Sequence, residues 1–231
     1  VGQARYGLML REDGIAYDDG TTARLAENHY VMTTTTANAV PVFRRLEFAR
    51  QCLWPDLDVH LISTTDGWAQ FAVAGPKSRD LLRKVVDADH DLSNAAFPFM
   101  ACAAVTVCGG TPARLFRISF SGELAYEIAV PARYGAALFE ALVRRAEVLG
   151  GGAYGMEALN VLRVEKGFIT HAEIHGRVTA FDVGMQGLMS RKKDFIGKAA
   201  ATRPGLLDEA REQLVGLTAL EGEIRPGAHL F

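Results

Sequence analysis

Cysteine is scarce in this sequence. Cys52, Cys102 and Cys108 are the only three in 231 residues, and none stands at a metal-ligand spacing from another. An odd count without such spacing argues against a disulfide framework and a zinc ribbon, and sets the expectation of a reduced, cytoplasmic setting. Excess charge of either sign is also missing. The 25 Lys and Arg against 27 Asp and Glu leave a net charge of -2, which gives no footprint for nucleic acid or an anionic membrane surface. No apolar run reaches the roughly 18 residues that a membrane span needs, and Val1-Gly2-Gln3-Ala4-Arg5 has no signal-peptide anatomy. Neither nucleic acid nor membrane is therefore expected as a partner. With 49% hydrophobic and 23% charged residues, the remaining class is an ordinary globular chain of one large domain or two small ones.

Several catalytic signatures are missing too. There is no Gly-x4-Gly-Lys-Ser/Thr phosphate loop, no serine nucleophile elbow and no Cys–His signature. Gly150-Gly151-Gly152-Ala153-Tyr154-Gly155 has the letters of a dinucleotide fingerprint. That fingerprint must follow a strand and open a helix, whereas this one follows a long helical pattern. His171-Ala172-Glu173-Ile174-His175 offers two imidazoles and a carboxylate, but not in the His-Glu-x-x-His order of a zincin helix. No metal site is expected.

What is present is a succession of short strands and helices, which indicates an α+β fold rather than a long parallel array. Tyr6–Leu10 and Ile15–Tyr17 read as a hairpin across Arg11-Glu12-Asp13-Gly14, and Thr22–Leu25 pairs with His29–Thr34 across Glu27-Asn28. A helix is predicted from about Ala37 to Leu53, with Thr36 or its neighbours as N-cap, Pro41 near the first turn, and Phe43, Leu46, Phe48 and Cys52 on one face. Asp58–Thr64 and Trp68–Ala74 read as a hairpin joined at Thr65-Asp66-Gly67, followed by a helix over Lys77–Val86. Strands are predicted at Ala101–Val107 and Ala113–Phe120. The strongest helix runs over Pro131–Leu149, with Leu138, Leu142 and Ala146 inward and Gly150 at its end. Gly155–Gly167 reads as a helix with Met156, Leu159 and Leu162 as its buried stripe; Arg163, one residue beyond it, is either a surface charge or the border of a cleft.

Two places concentrate carboxylates of interest. Asp18 and Asp19 end the second arm of the first hairpin, before Gly20. On a strand they point to opposite faces, so one can face a pocket while the other serves a turn. The second place is Arg117-Ile118-Ser119-Phe120-Ser121-Gly122-Glu123-Leu124-Ala125-Tyr126-Glu127-Ile128-Ala129-Val130-Pro131, two alternating runs about a Ser121-Gly122-Glu123 turn or bulge. Glu127 sits opposite Ile128. It lies either in water on a surface strand or beside a partner, because burying an unpaired charge costs too much. A flat ligand with adjacent N–H groups, such as a pterin or guanine-like ring, is one such partner.

These residues also carry a family resemblance. Asp13-Gly14-Ile15-Ala16-Tyr17-Asp18-Asp19-Gly20, Phe120-Ser121-Gly122-Glu123-Leu124-Ala125-Tyr126-Glu127, Gly155 through Gly167, and Lys192-Lys193-Asp194-Phe195-Ile196-Gly197-Lys198 stand in the order found in the folate-binding, aminomethyltransferase-like (glycine cleavage T-protein) superfamily. They cover nearly the whole chain. Within that superfamily the second and third stretches, followed by Val178-Thr179-Ala180-Phe181-Asp182-Val183-Gly184-Met185, most resemble the C-terminal region of heterotetrameric sarcosine oxidase alpha subunits. T-proteins proper carry Tyr-Thr-Gly-Glu-Asp-Gly at Phe120–Ala125 and an Arg at Leu159, and the lost Arg argues against transfer from a lipoyl-bound aminomethyl group.

The resemblance implies a fold of mixed or antiparallel sheets with packed helices. It implies a folate-binding domain over residues 1–205 lacking its N-terminal start, and a truncated start of a C-terminal β-barrel-like domain over 206–231. It implies a one-carbon unit from oxidised sarcosine accepted by tetrahydrofolate to give 5,10-methylenetetrahydrofolate. Flavin and NAD are expected only in other parts of the complex, and other sarcosine oxidase-type subunits are the expected partners. Carried over by motif position, Glu127 would accept hydrogen bonds from the pterin, with Tyr126, Phe120 and Arg163 beside it. A carboxylate of the Asp18-Asp19 pair would serve the chemistry, with Asp18 favoured and Asp19 as turn partner. A free-standing aminomethyltransferase and a non-catalytic scaffold at a subunit interface are the alternatives.

Overall fold

Two antiparallel sheets meet at one corner, and helices pack against the larger. A computed structural model describes residues 1–222 and 224. The smaller sheet has the order β1 (Gln3–Leu10), β2 (Ala16–Ala26), β3 (His29–Met32). The larger has the order β4 (Trp68–Ala74), β7 (Ala125–Pro131), β6 (Thr111–Phe116), β5 (Cys102–Val107). The predicted mixed or antiparallel α+β architecture is thus found, with every pairing antiparallel.

The first hairpin turns as its residues dictate. Asp13 accepts the Ile15 N–H at 3.0 Å and pairs with Arg11 at 2.7 Å, while Gly14 takes the positive φ of 87° that an L side chain resists. The chain does not turn again at Asp18-Asp19-Gly20, contrary to expectation. β2 runs straight through it, with Asp18 opposite Met9 and Asp19 opposite Leu8. Gly20 is there because a Cβ would overlap the Thr33 carbonyl, where β3 leaves the sheet.

The principal core lies on one face of the larger sheet. Leu115, Tyr126, Ile128 and Val130 pack against Leu81 and Leu82 of α2 (Ser78–Leu82) and Leu138 and Leu142 of α3 (Gly135–Val148). Each large apolar side chain removed from water stabilises by about 1.5–3 kcal/mol. A smaller cluster of Ala4, Ala23, Cys102, Phe116 and Ile118 seals the corner between the sheets, where Gly2 and Cys102 also bond through their backbones. A third joins Leu10 and Ala16 to Ile169, Ile174, Val178 and Val183.

Several local expectations differ. Asp58–Thr64 forms no strand, and β4 pairs with the distant β7 instead of a hairpin neighbour. β6 stops at Phe116: the Arg117 N–H still bonds to the Ala101 carbonyl, but the chain leaves β7 there through an irregular segment up to Leu124. The first helix, α1 (Ala39–Phe48), continues as a π-helical turn to Leu53 without a side-chain cap, and it buries Val42 and Ala49 rather than Phe48 and Cys52. α4 (Met156–Lys166) ends at Gly167 as predicted, with φ of 79°. It buries none of its residues fully, and Met156 is 77% exposed. The expected barrel start at 206–231 lies partly outside the described residues; residues 207–222 form no strand, and Leu214 and Arg211 bond to Asp182.

Candidate active site

A cavity of about 470 Å³ opens where the end of the smaller sheet faces β4 and β7, with the start of α4 at its side. One wall carries Asp19, Gly20 and the Thr33–Thr36 run. The opposite wall carries Ala72, Glu127 and the Phe120–Ser121 segment. Tyr154, Leu159 and His171 close the remaining side, and among the described residues no Lys or Arg lines it.

Strand register places Glu127. It stands opposite Ala72 on β4, whose small side chain leaves room above the carboxylate. Gln70, one diagonal position away, donates its Nε2–H to Glu127 Oε2, leaving Oε1 for another donor. Burial pushes the Glu127 carboxyl above its ordinary value, and the Gln70 amide opposes that rise. The same charge, added to burial, pushes up the Tyr154 hydroxyl.

Asp19 lines the facing wall, and the Tyr6 hydroxyl donates to its Oδ2 at 2.8 Å. Burial pushes its carboxyl up, the nearby Asp18 adds to this, and the Tyr6 hydrogen bond acts against it. Asp18 points to the other face of β2. It is fully buried, accepts the Thr35 N–H on Oδ2 at 3.1 Å, and leaves Oδ1 without a partner. The expectation that Asp18 faces the pocket and Asp19 serves a turn is therefore reversed. Strand alternation puts Asp19 on the cavity side, and Asp18 holds the threonine run from beneath.

Two further expectations need correction. Tyr126 adjoins the cavity, but its ring points into the core. It is 0% exposed, stacks on Phe97 with centroids 6.4 Å apart, and accepts the Arg79 Nε–H at 2.7 Å. Arg163 does not line the cavity. Its Nη1 donates to Glu173 Oε1 at 2.8 Å and to the Phe168 carbonyl at 3.2 Å, so its fork is spent on the turn after α4. Phe120 does line the cavity, with its ring stacked on Phe168 at 6.3 Å.

Sequence reasoning passed over Tyr6, Gln70, Tyr154 and the cavity role of Thr33–Thr36. The four consecutive threonines were the available signal: a run of hydroxyls at a strand end is more than one helix cap requires. Gln70 left no signal, because its use depends on a pairing between strands 57 residues apart.

The fold agrees with the comparisons. The chain belongs to the GCVT N-terminal domain family, whose profile matches residues 1–193. It is 54% identical over 235 residues to the sarcosine oxidase subunit alpha of Rhizobium meliloti, covering 100% of this chain and 24% of that protein. It is 31% identical over 223 residues to the aminomethyltransferase of Streptomyces coelicolor, covering 94% of this chain and 58% of that one. The crystal structure of glycine cleavage system aminomethyltransferase T from Bartonella henselae superimposes with a TM-score of 0.71 at 25% identity, over 87% of this chain and 52% of that one. The chain thus spans about a quarter of the length of the sarcosine oxidase alpha subunit it matches.

Proposed function

We propose that this cavity holds tetrahydrofolate as a one-carbon acceptor within a sarcosine oxidase alpha subunit-like protein of the cytoplasm. The observation that carries the reading is the pair of carboxylates on facing walls, Glu127 from one sheet and Asp19 from the other, with no Lys or Arg among the described residues that line the cavity. A pterin offers a 2-amino group and a ring N–H side by side. The free oxygen of Glu127 and its Gln70-bound partner present the matching acceptors, and a charged hydrogen bond of this kind is worth about 1.5–3 kcal/mol. The exposed Phe120 ring provides an apolar face beside them.

A flavin-dependent oxidation elsewhere in the complex would supply the iminium of sarcosine; one folate nitrogen attacks its carbon, and the second then displaces glycine, whose amine departs with the two protons the folate nitrogens give up, leaving 5,10-methylenetetrahydrofolate. Asp19 takes the role at this step. Its carboxylate stabilises the developing cation and accepts the proton that the attacking nitrogen sheds. Tyr6 orients that carboxylate. Flavin and NAD belong to other parts of the assembly, whose further subunits are this chain's partners.

Titrating the intact protein with tetrahydrofolate, by calorimetry and by melting temperature, tests the reading. A ligand that binds only the native state raises Tm by mass action. Glu127→Gln turns one acceptor into a donor and is expected to weaken binding by about one to two decades. A saturating concentration that produces neither heat nor a Tm rise removes the folate reading.

A further inference from the structure

The glycine-rich loop from Gly150 to Gly155 joins α3 to α4, and its one side chain larger than a methyl is that of Tyr154. Tyr154 belongs to none of the three apolar clusters and is 42% exposed. Among the described residues no hydrogen bond engages its hydroxyl. The fold therefore makes little use of this side chain. It stands at the cavity instead, where Met156 and Leu159, on the first turn of α4, line the same volume and seat the end of the loop. Burial, and then the Glu127 charge, push the Tyr154 hydroxyl up. At neutral pH it is thus a donor that lies within the field of Glu127.

An acceptor and an unspent donor therefore border one volume, and ring chemistry makes that pairing informative. In a neutral 2-amino-4-oxo pterin, the ring N–H beside the 2-amino group is N3–H. The next group along that edge is the C4 carbonyl, an acceptor. With the 2-amino group and N3–H on Glu127, the carbonyl falls beside the carboxylate. An acceptor taken out of water there costs free energy unless a donor meets it. No Lys or Arg lines the cavity among the described residues, and Thr33–Thr36 stand on the Asp19 wall. We propose that Tyr154 is a specificity residue of this site, donating its hydroxyl proton to the C4 carbonyl of a 2-amino-4-oxo ring. The assignment rests on the folate reading and adds to it the ring edge that the cavity selects. That edge is an N–H flanked by a carbonyl, read by Glu127 and Tyr154 together.

Tetrahydrofolate carrying carbon-13 at C4 is titrated into the intact protein and into Tyr154→Phe, by calorimetry and by isotope-edited infrared spectroscopy. Without ligand the variant is expected to keep the parent's Tm, because the free fold does not use the hydroxyl. Its affinity for tetrahydrofolate is expected to fall between about twofold and tenfold, the range of one neutral hydrogen bond. The labelled carbonyl stretch, lowered by an O–H donor, is expected to move to higher frequency in the variant. His171 closes the same side of the cavity, and His171→Ala is expected to leave that frequency unchanged. A parent that binds, with the same carbonyl frequency in Tyr154→Phe or a shift in His171→Ala instead, overturns the assignment and leaves the folate reading standing. A parent that does not bind tetrahydrofolate removes the folate reading, and this assignment with it.

Discussion

The cavity walls and the segment that follows α4 use the same side chain in opposite ways. After α4, Glu173 receives Arg163 at 2.8 Å together with the N–H and hydroxyl of Thr170. Asp182 receives Arg211 through two bonds of 2.6 and 3.0 Å, and the Thr179 N–H. Burial works against both charges, yet these partners outweigh it and hold both carboxyls low, Glu173 at about 2. In the cavity, Asp19 and Glu127 have only a phenol and an amide for partners, and burial pushes both carboxyls up. A carboxylate given an arginine is committed to holding the chain together. One left with an uncharged partner keeps its capacity to meet a cation or an N–H that arrives later.

The largest expected effect breaks the cavity side of this contrast. Asp19→Asn leaves tetrahydrofolate binding within a few-fold but lowers methylenetetrahydrofolate formation by about 10²-fold or more, the usual cost of a lost acid–base group. Formaldehyde accumulates in its place, because uncaptured iminium hydrolyses. Asp18→Asn is the comparison. Its oxygen still accepts from Thr35, so its effect on the product ratio is small. If the two phenotypes exchange, the carboxylate beneath the threonine run does the chemistry and the cavity-facing one does not.

The structural side breaks through Arg163→Met. Glu173 keeps its burial and loses its cation, and its side chain is only 28% exposed. Removing one member of such a pair is costly, here on the order of 2–3 kcal/mol for a pair partly open to water. In the unaltered protein the folded carboxyl lies below its unfolded value. Its stabilisation is therefore fully present above the ordinary carboxylate range and is lost as pH falls toward 2. Denaturant titrations between pH 6 and pH 3 are expected to show this acid loss in the parent and a much flatter dependence in the variant. Equal slopes would mean that Thr170 alone holds the charge.

That division was only partly legible in the sequence. Short-range signals read well: the Asp13-Gly14 turn, the Gly167 and Gly150 helix ends, and the inward Leu138 and Leu142 all rest on spacing within one element. Alternation along β7 correctly set Glu127 opposite the buried Ile128. What failed depended on partners far along the chain. Asp58–Thr64 has the composition of a strand and nothing to pair with, while β4 finds β7 across about 50 residues. Asp19 before Gly20 has the local signature of a turn former, although that glycine serves the approach of Thr33 instead. Arg163 has its partner in Glu173, ten residues on and past the end of its helix, where spacing within one element does not reach.

The smallest expected effect sharpens the comparison by grading it. Gln70 is exposed and its amide is neutral, so its bond to Glu127 tunes a charge that it does not fully stabilise. On the proposed reading, tetrahydrofolate needs Glu127 ionised. Affinity is therefore full above the raised folded value of this carboxyl and declines as pH falls through it, at a pH higher than an ordinary glutamate would show. The free protein follows the opposite sign. A folded carboxyl that holds its proton more tightly than the unfolded one adds stability in acid, and that stability is lost as pH rises through the folded value. Gln70→Leu removes the donor that favours the charged form. The decline in affinity should then begin at higher pH, and affinity at neutral pH should fall a few-fold, about 1 kcal/mol after allowance for solvent. Calorimetric titrations across pH 5 to 8 separate the two outcomes. A parallel loss at every pH would make Gln70 a mere contact, whereas a displaced midpoint makes it the group that keeps Glu127 charged while the carboxylates after α4 rely on arginine.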